Sequence, residues 1–212
     1  MAETYLRAFA EVRKLREVKV YSPTEANREA YARKMSEMLG VPVTARKGVE
    51  EVVRGSHMVA TCTDSVRVVV ENPAWVEDGA FITCVRSNEW DPTILDRCDV
   101  IVKLGRGTIG TLDQGMRRIA GYASYVAGTE DETKRIVTPG VDLFAGQHPL
   151  LTDLMGGTAQ GRTKDSDVTL FLNDGTQGLQ FASVSGYVVR KARELSAGQE
   201  IPREWLTQNI RD

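Results

Sequence analysis

The sequence predicts an α/β fold, a doubly wound parallel sheet with helices on both faces. Three observations carry this expectation. Helical and strand periodicities alternate from residue 2 to residue 104. Several of the strands are apolar on both faces, as they are when helices cover a parallel sheet from both sides. One of them, Phe81-Ile82-Thr83-Cys84-Val85, runs into the polar turn Arg86-Ser87-Asn88 and on into Glu89-Trp90-Asp91-Pro92. In an open parallel sheet ligands bind where strands stop, so the chemistry is expected near residues 85–88.

The elements follow in order. Residues 2–15 place Leu6, Phe9, Ala10, Val12 and Arg13 at spacings of three and four with charges between them, an amphipathic helix. It starts without the Ser, Thr, Asp or Asn that ordinarily caps a helix. Residues 18–21 read as a strand and 22–25 as a turn, with Thr24 a candidate cap for a helix over 25–39 that Gly40 closes. Strands over 41–45 and 57–63 flank a short helix over 48–54. After the Phe81 strand come a helix over 92–97 and a continuous apolar strand over 99–104. The glycine-studded stretch 108–149 reads as loops with one helix near 112–120. Then follow a helix over 149–154, a flexible loop over 156–164 and a strand over 168–172. The last strong element is a helix over 177–195 with Leu179, Val184, Val188 and Ala192 on one face. Beyond Gly198 the tail is polar and is expected to pack only through Ile201 and Trp205.

Composition narrows the function classes. With 42% hydrophobic and 26% charged residues and a net charge of −2, the chain has no electrostatic footprint for nucleic acid or an anionic membrane. A small molecule or another protein is the expected partner. No apolar run reaches the roughly 18 residues of a membrane span, and residues 1–16 lack the apolar core of a signal peptide, so a cytoplasmic protein is expected. Cys62, Cys84 and Cys98 form no Cys-x-x-Cys pair and stand with only His57 and His148, a pattern for neither zinc nor a disulfide frame. The cysteines read as small core hydrophobes.

A dinucleotide site needs a strand, a Gly-x-Gly-x-x-Gly turn and a helix whose N-terminus holds the pyrophosphate. One such string, Gly105-Arg106-Gly107-Thr108-Ile109-Gly110, follows the strand over 99–104. Its second strand would have to be 122–126, with Glu130 or Asp131 as the ribose-reading acid. That context is thin, and a glycine-rich surface loop is the preferred reading. The other possibility is that helix 2–15, strand 18–21 and helix 25–39 are the early part of a Rossmann unit whose first strand and glycine turn precede residue 1.

Residues 1–193 resemble the nucleotide-binding part of the ornithine cyclodeaminase/μ-crystallin family. The resemblance is carried by Val20-Tyr21-Ser22-Pro23-Thr24, by residues 50–63, by residues 79–95, and by Asp165-Ser166-Asp167-Val168-Thr169-Leu170-Phe171. It is specific to the family and not to one enzyme within it. It implies an NAD(P)-binding Rossmann-like sheet over 1–172 that lacks its first strand and glycine turn. Residues 173–212 would be a C-terminal helix and tail returning toward an absent N-terminal domain, and the full-length protein a homodimer.

Residue by residue, the resemblance implies cofactor contacts from Ser22, Thr24 and Arg28, from Cys62 and Thr63, and from Cys84, Val85, Arg86 and Ser87. NAD-preferring relatives carry an acid where Ser22 stands. A serine leaves room for a 2′-phosphate that Arg28 or Arg33 could pair with, a weak lean to NADP over NAD. Thr63 would donate to the cofactor or satisfy its own turn. In the cyclodeaminases a catalytic aspartate occupies the place of Asn88, and a lysine that of Pro92. An amide cannot shuttle a proton, so ammonia-eliminating cyclisation of ornithine is disfavoured, while Asn88 can still hydrogen-bond a carboxylate or imine. Glu89 and Asp91 are alternative acids, read as ordinary surface carboxylates. The implied function is NAD(P)-dependent oxidoreduction of an amino acid or cyclic imine. The alternative is a non-catalytic nucleotide-binding or interaction protein.

Overall fold

A computed structural model of the chain describes residues 1–63, 65, 67–86, 89–105, 147–173 and 177–205, with only the backbone at 177–179 and 203. Its helices are α1 Ala2–Val12, α2 Glu25–Leu39, α3 Val49–Val53, α4 Ile94–Arg97, α5 Leu151–Met155 and α6 Gln177–Glu194. Its strands are β1 Val18–Val20, β2 Val43–Ala45, β3 Met58–Thr61, β4 Phe81–Cys84, β5 Val100–Lys103 and β6 Thr169–Leu172. Every strand pair is parallel, as the apolar runs predict. The strands form two sheets, β1-β2 and β3-β4-β6-β5. The chain divides into two compact units, Met1–Gly175 with both sheets and Thr176–Asp212 with α6.

Local sequence explains the boundaries. Gly40 ends α2 in the left-handed conformation at φ 65°, its N–H donating to Ser36 O at 2.9 Å, a role glycine fills without strain. Thr24 sits at the N-cap of the same helix, but its side chain makes no capping bond. Helix α1 stops three residues short of the predicted Leu15, because Arg13 turns extended at φ −142° and ψ 139°. The predicted strands are trimmed by one to three residues at their ends. The glycine string 106–110, the helix near 112–120 and the strand 122–126 lie outside the described residues.

Each sheet has its own core. The four-stranded sheet is built on Val59, Ile82, Cys84, Leu170 and Leu172, with Trp90, Ile94 and Val53 packed against it. The β1-β2 pair is closed by Leu6 of α1, Ala32 and Met35 of α2, and Val43. Helix α1 ties the two together. While Leu6 is buried in the smaller core, Phe9 packs edge-on against Phe81 of β4, centroids 6.4 Å apart, and the Tyr5 hydroxyl accepts from Asn173 Nδ2 at 3.0 Å. The loop before β6 is less free than its glycines suggest. Arg162 donates to Gly79 O at 2.9 Å and to Asp165 O at 2.7 Å, and Asp167 accepts from the N–H of Thr163 and of Lys164. In the tail, Ile201 and Trp205 are 59% and 77% exposed, which corrects the expectation that they pack; Val184 and Val188 of α6 are exposed as well.

Candidate functional site

Parallel pairing brings all four strand ends of the larger sheet to one edge. Thr61 of β3 stands opposite Cys84 of β4, Cys84 opposite Leu172 of β6, and Leu172 opposite Lys103 of β5. The segments that leave this row are Cys62-Thr63, Val85-Arg86, Asn173 and Leu104-Gly105. The sequence expectation that the site lies where β4 stops therefore acquires neighbours on both sides.

Beneath this edge lies a carboxylate that the sequence reading misplaced. Glu89 is fully buried, not a surface acid. Its Oε1 accepts from Thr63 N at 2.6 Å and Thr63 Oγ1 at 2.7 Å. Its Oε2 accepts from Thr61 Oγ1 at 2.8 Å, Val85 N at 2.9 Å and Arg86 N at 3.0 Å. All five of these partners are donors, so the group acts purely as an acceptor. Its own main chain is held as firmly: Glu89 O accepts from Val69 N at 2.8 Å and Val70 N at 2.9 Å, and the next residue, Trp90, is buried and donates Nε1 to Thr61 Oγ1 at 3.2 Å. The missed signal was the apolar Trp90 immediately after the turn, which pulls its neighbour into the core. Asp91, the other candidate acid, instead accepts from Thr93 Oγ1 and Thr93 N and so starts the turn into α4; those bonds hold its carboxyl below the usual range.

The two thiols at the edge are held in the protonated form. Burial first, then the charge of Glu89, pushes Cys62 up to about 11 and Cys84 up to about 12, so both are protonated at neutral pH. Cys84 is completely buried between β3 and β6, so its thiol is closed off from a ligand at the edge. Thr63 does satisfy its own turn, its hydroxyl accepting from Ser65 N at 3.3 Å, and its hydroxyl and amide protons both go to Glu89 as well. Tyr31 of α2 lies close enough for the Cys62 charge to act on it, its hydroxyl raised to about 12, mainly by burial.

The other predicted contacts cluster where β1 turns into α2. Ser22 is half-buried and Thr24 exposed. Arg28 donates Nη1 to Ser22 O at 3.2 Å and to Pro23 O at 3.5 Å and pairs through Nη2 with Glu25 at 3.3 Å, its side chain only 11% exposed. It fastens the turn. Arg33 is exposed. Ser87 and Asn88 lie outside the described residues. Among the described residues no group of three or more His, Cys, Asp or Glu could hold a metal ion, and no helix is long and apolar enough to cross a membrane.

Comparison with known proteins agrees with this architecture. The Thermococcus litoralis Δ1-pyrroline-2-carboxylate reductase, solved in complex with NADH and L-proline, superposes with a TM-score of 0.66 at 21% identity, covering 94% of this chain and 57% of that one. An archaeal alanine dehydrogenase dimer with bound NAD gives 0.63 at 23% identity over 95% of this chain and 57% of that one. In sequence, an uncharacterized cyclodeaminase of Sinorhizobium fredii is 26% identical over 208 residues, 93% of this chain and 55% of the relative. The chain thus spans about half the length of the relatives it matches. The ornithine cyclodeaminase/mu-crystallin family profile matches residues 1–185 of the 212, and the chain belongs to that family.

Proposed function

We propose that this chain is the cofactor-binding part of an NAD(P)-dependent oxidoreductase that moves hydride to or from an amino acid or cyclic imine. The observation that carries the reading is the edge where β3 and β4 end, its two exit segments bound to one buried carboxylate. An NAD-type cofactor would supply the hydride; the chain's part is to bind it, orient it and exclude water. Cys62 and Thr63 would contact it from β3, and Val85 and Arg86 from β4, while Cys84, completely buried, would support them from within the sheet. Ser22, Thr24 and Arg28 would face the ribose end. Because Arg28 is already bonded within its own turn, a preference for NADP would rest on Arg33 and on the room beside Ser22.

The neighbours support the substrate class, since one was solved with L-proline and NADH and another is an alanine dehydrogenase with NAD. Asn88 in the place of the cyclodeaminases' aspartate weighs against ammonia elimination and would serve as a hydrogen-bond partner for the substrate. The alanine dehydrogenase is a dimer, and a homodimer is the assembly we propose for the full-length protein.

The test is calorimetric titration with NADH and NADPH in parallel. Saturable micromolar binding of either, with hydride exchange between cofactor and an amino or imino acid once full length, is the expected result. Binding without turnover would favour a non-catalytic role. No binding of either by a folded, monodisperse chain overturns the reading for this chain.

A further inference from the structure

We propose that Glu89 is a positioning residue of the cofactor site. Without touching the dinucleotide, its carboxylate fixes the exit segments of β3 and β4 against each other. The proposal rests on the reading of this edge as the cofactor site.

Burying a carboxylate is costly unless hydrogen bonds offset its lost hydration, and a well-packed apolar residue would stabilise the same space at least as well. What Glu89 does that an apolar side chain cannot is receive main-chain N–H groups. Three of its donors are amides, Thr63 on one strand's exit and Val85 and Arg86 on the other's. The first is 26 residues away in sequence and the others 4 and 3. An amide aimed at a buried acceptor fixes the peptide plane that carries it, so the carboxylate sets the relative position of the two segments where the β3-β4 ladder runs out, its last rung being Val85 N to Thr61 O at 3.1 Å. Thr61 Oγ1 extends the network by donating to Oε2 while accepting from Trp90 Nε1.

Glu89→Gln separates this role from bulk. With its oxygen in the Oε2 place, glutamine keeps the bonds from Val85 and Arg86. Its NH2 group then meets the Thr63 N–H, donor against donor, while the Thr63 hydroxyl can turn to accept. The substitution therefore releases one amide, at Thr63.

The experiment compares the unsubstituted chain, Glu89→Gln, and Met35→Ala as a destabilised control in the other core. It measures residue-resolved amide exchange and NADH affinity well below the melting temperature. Expected for Glu89→Gln is exchange at the Thr63 amide at least about tenfold faster relative to Ala60 and Thr83, and NADH binding weaker by about tenfold, the equivalent of one such bond. Met35→Ala is expected to lower the melting temperature comparably and leave the NADH Kd unchanged. Equal weakening by both variants, or unchanged affinity in Glu89→Gln with Thr63 released, overturns the proposal. Should the unsubstituted chain bind neither NADH nor NADPH, the proposed function fails, and the exchange measurement still decides: unchanged Thr63 exchange in Glu89→Gln overturns the clamp. If Glu89→Gln does not fold, Thr61→Val carries the test by deleting one hydroxyl donor to Glu89 from a buried residue that is assigned no cofactor contact. An NADH Kd about threefold higher supports the proposal, and an unchanged one overturns it.

Discussion

Met35→Ala is the perturbation that asks whether two sheets make one cooperative structure. Met35 is fully buried in the small core with Leu6, Ala32 and Val43. The substitution removes three heavy atoms beyond Cβ, about 2.4 kcal/mol at ~0.8 kcal/mol per buried group. The residual cavity brings the loss to about 3 kcal/mol, toward the low end of the Met→Ala range because a core of four buried residues collapses easily. Helix α1 carries that loss across. It seats Leu6 beside Met35, Phe9 against Phe81 and Tyr5 against Asn173. Urea unfolding should be followed by far-ultraviolet circular dichroism, which reports the helices, and by the part of the tryptophan fluorescence that comes from Trp90 and Trp75 in the larger core. The expected result is one shared midpoint for both probes, lowered by about 3 kcal/mol. Separate midpoints, with the tryptophan signal unmoved, would refute the idea that α1 couples the sheets, and a loss below about 1 kcal/mol would refute the packing argument.

Three other outcomes are expected. Thr24→Ala should cost less than about 0.5 kcal/mol, against about 1 kcal/mol for a working cap, because the Thr24 side chain makes no capping bond; thermal melts decide it. Gly79→Ala should cost about 3 kcal/mol, since Gly79 has φ 77° and a Cβ there would run into the Asp165 carbonyl oxygen; chemical denaturation would show it, and a loss under 1 kcal/mol would mean the turn relaxes freely. Asp167, held below the ordinary carboxylate range first by the N–H of Thr163 and then by that of Lys164, contributes stability at pH values above that range. This contribution fades as pH falls through the lowered value, so the acid limb of a stability profile should flatten in Asp167→Asn and stay steep if the bonds are unimportant.

Much of the fold is visible in the chain because its signals are local. Gly40 marks the end of α2 to the residue, and the apolar runs at 81–84, 100–103 and 169–172 declare buried parallel strands. What is not visible is long range. Nothing in the run Asn88-Glu89-Trp90 says that its acid will meet Thr61 and Thr63, since those bonds exist only once β3 and β4 lie side by side. Charge alone favours the surface, and here five donors assembled by the sheet outweigh it. Arg28 shows the same limit: its place in the sequence suggested a phosphate partner, whereas the turn it sits in supplies two carbonyls and Glu25. The edge of β3 and β4 was legible as a location but not as a network.

The order β3-β4-β6-β5 also governs how the chain assembles itself. Strand β6 slots between β4 and β5, although it lies 66 residues beyond the end of β5 at Lys103. On the ribosome, β4 and β5 therefore emerge long before the strand that joins them, each with an open apolar edge. The larger sheet cannot close until residue 172 has cleared the exit tunnel, and closing it pairs strands far apart in sequence, a slow step by contact-order reasoning. Refolding in a dilute tube and folding during synthesis thus present the same bottleneck, and an interruption of synthesis just after β5 would leave the most aggregation-prone form of the molecule.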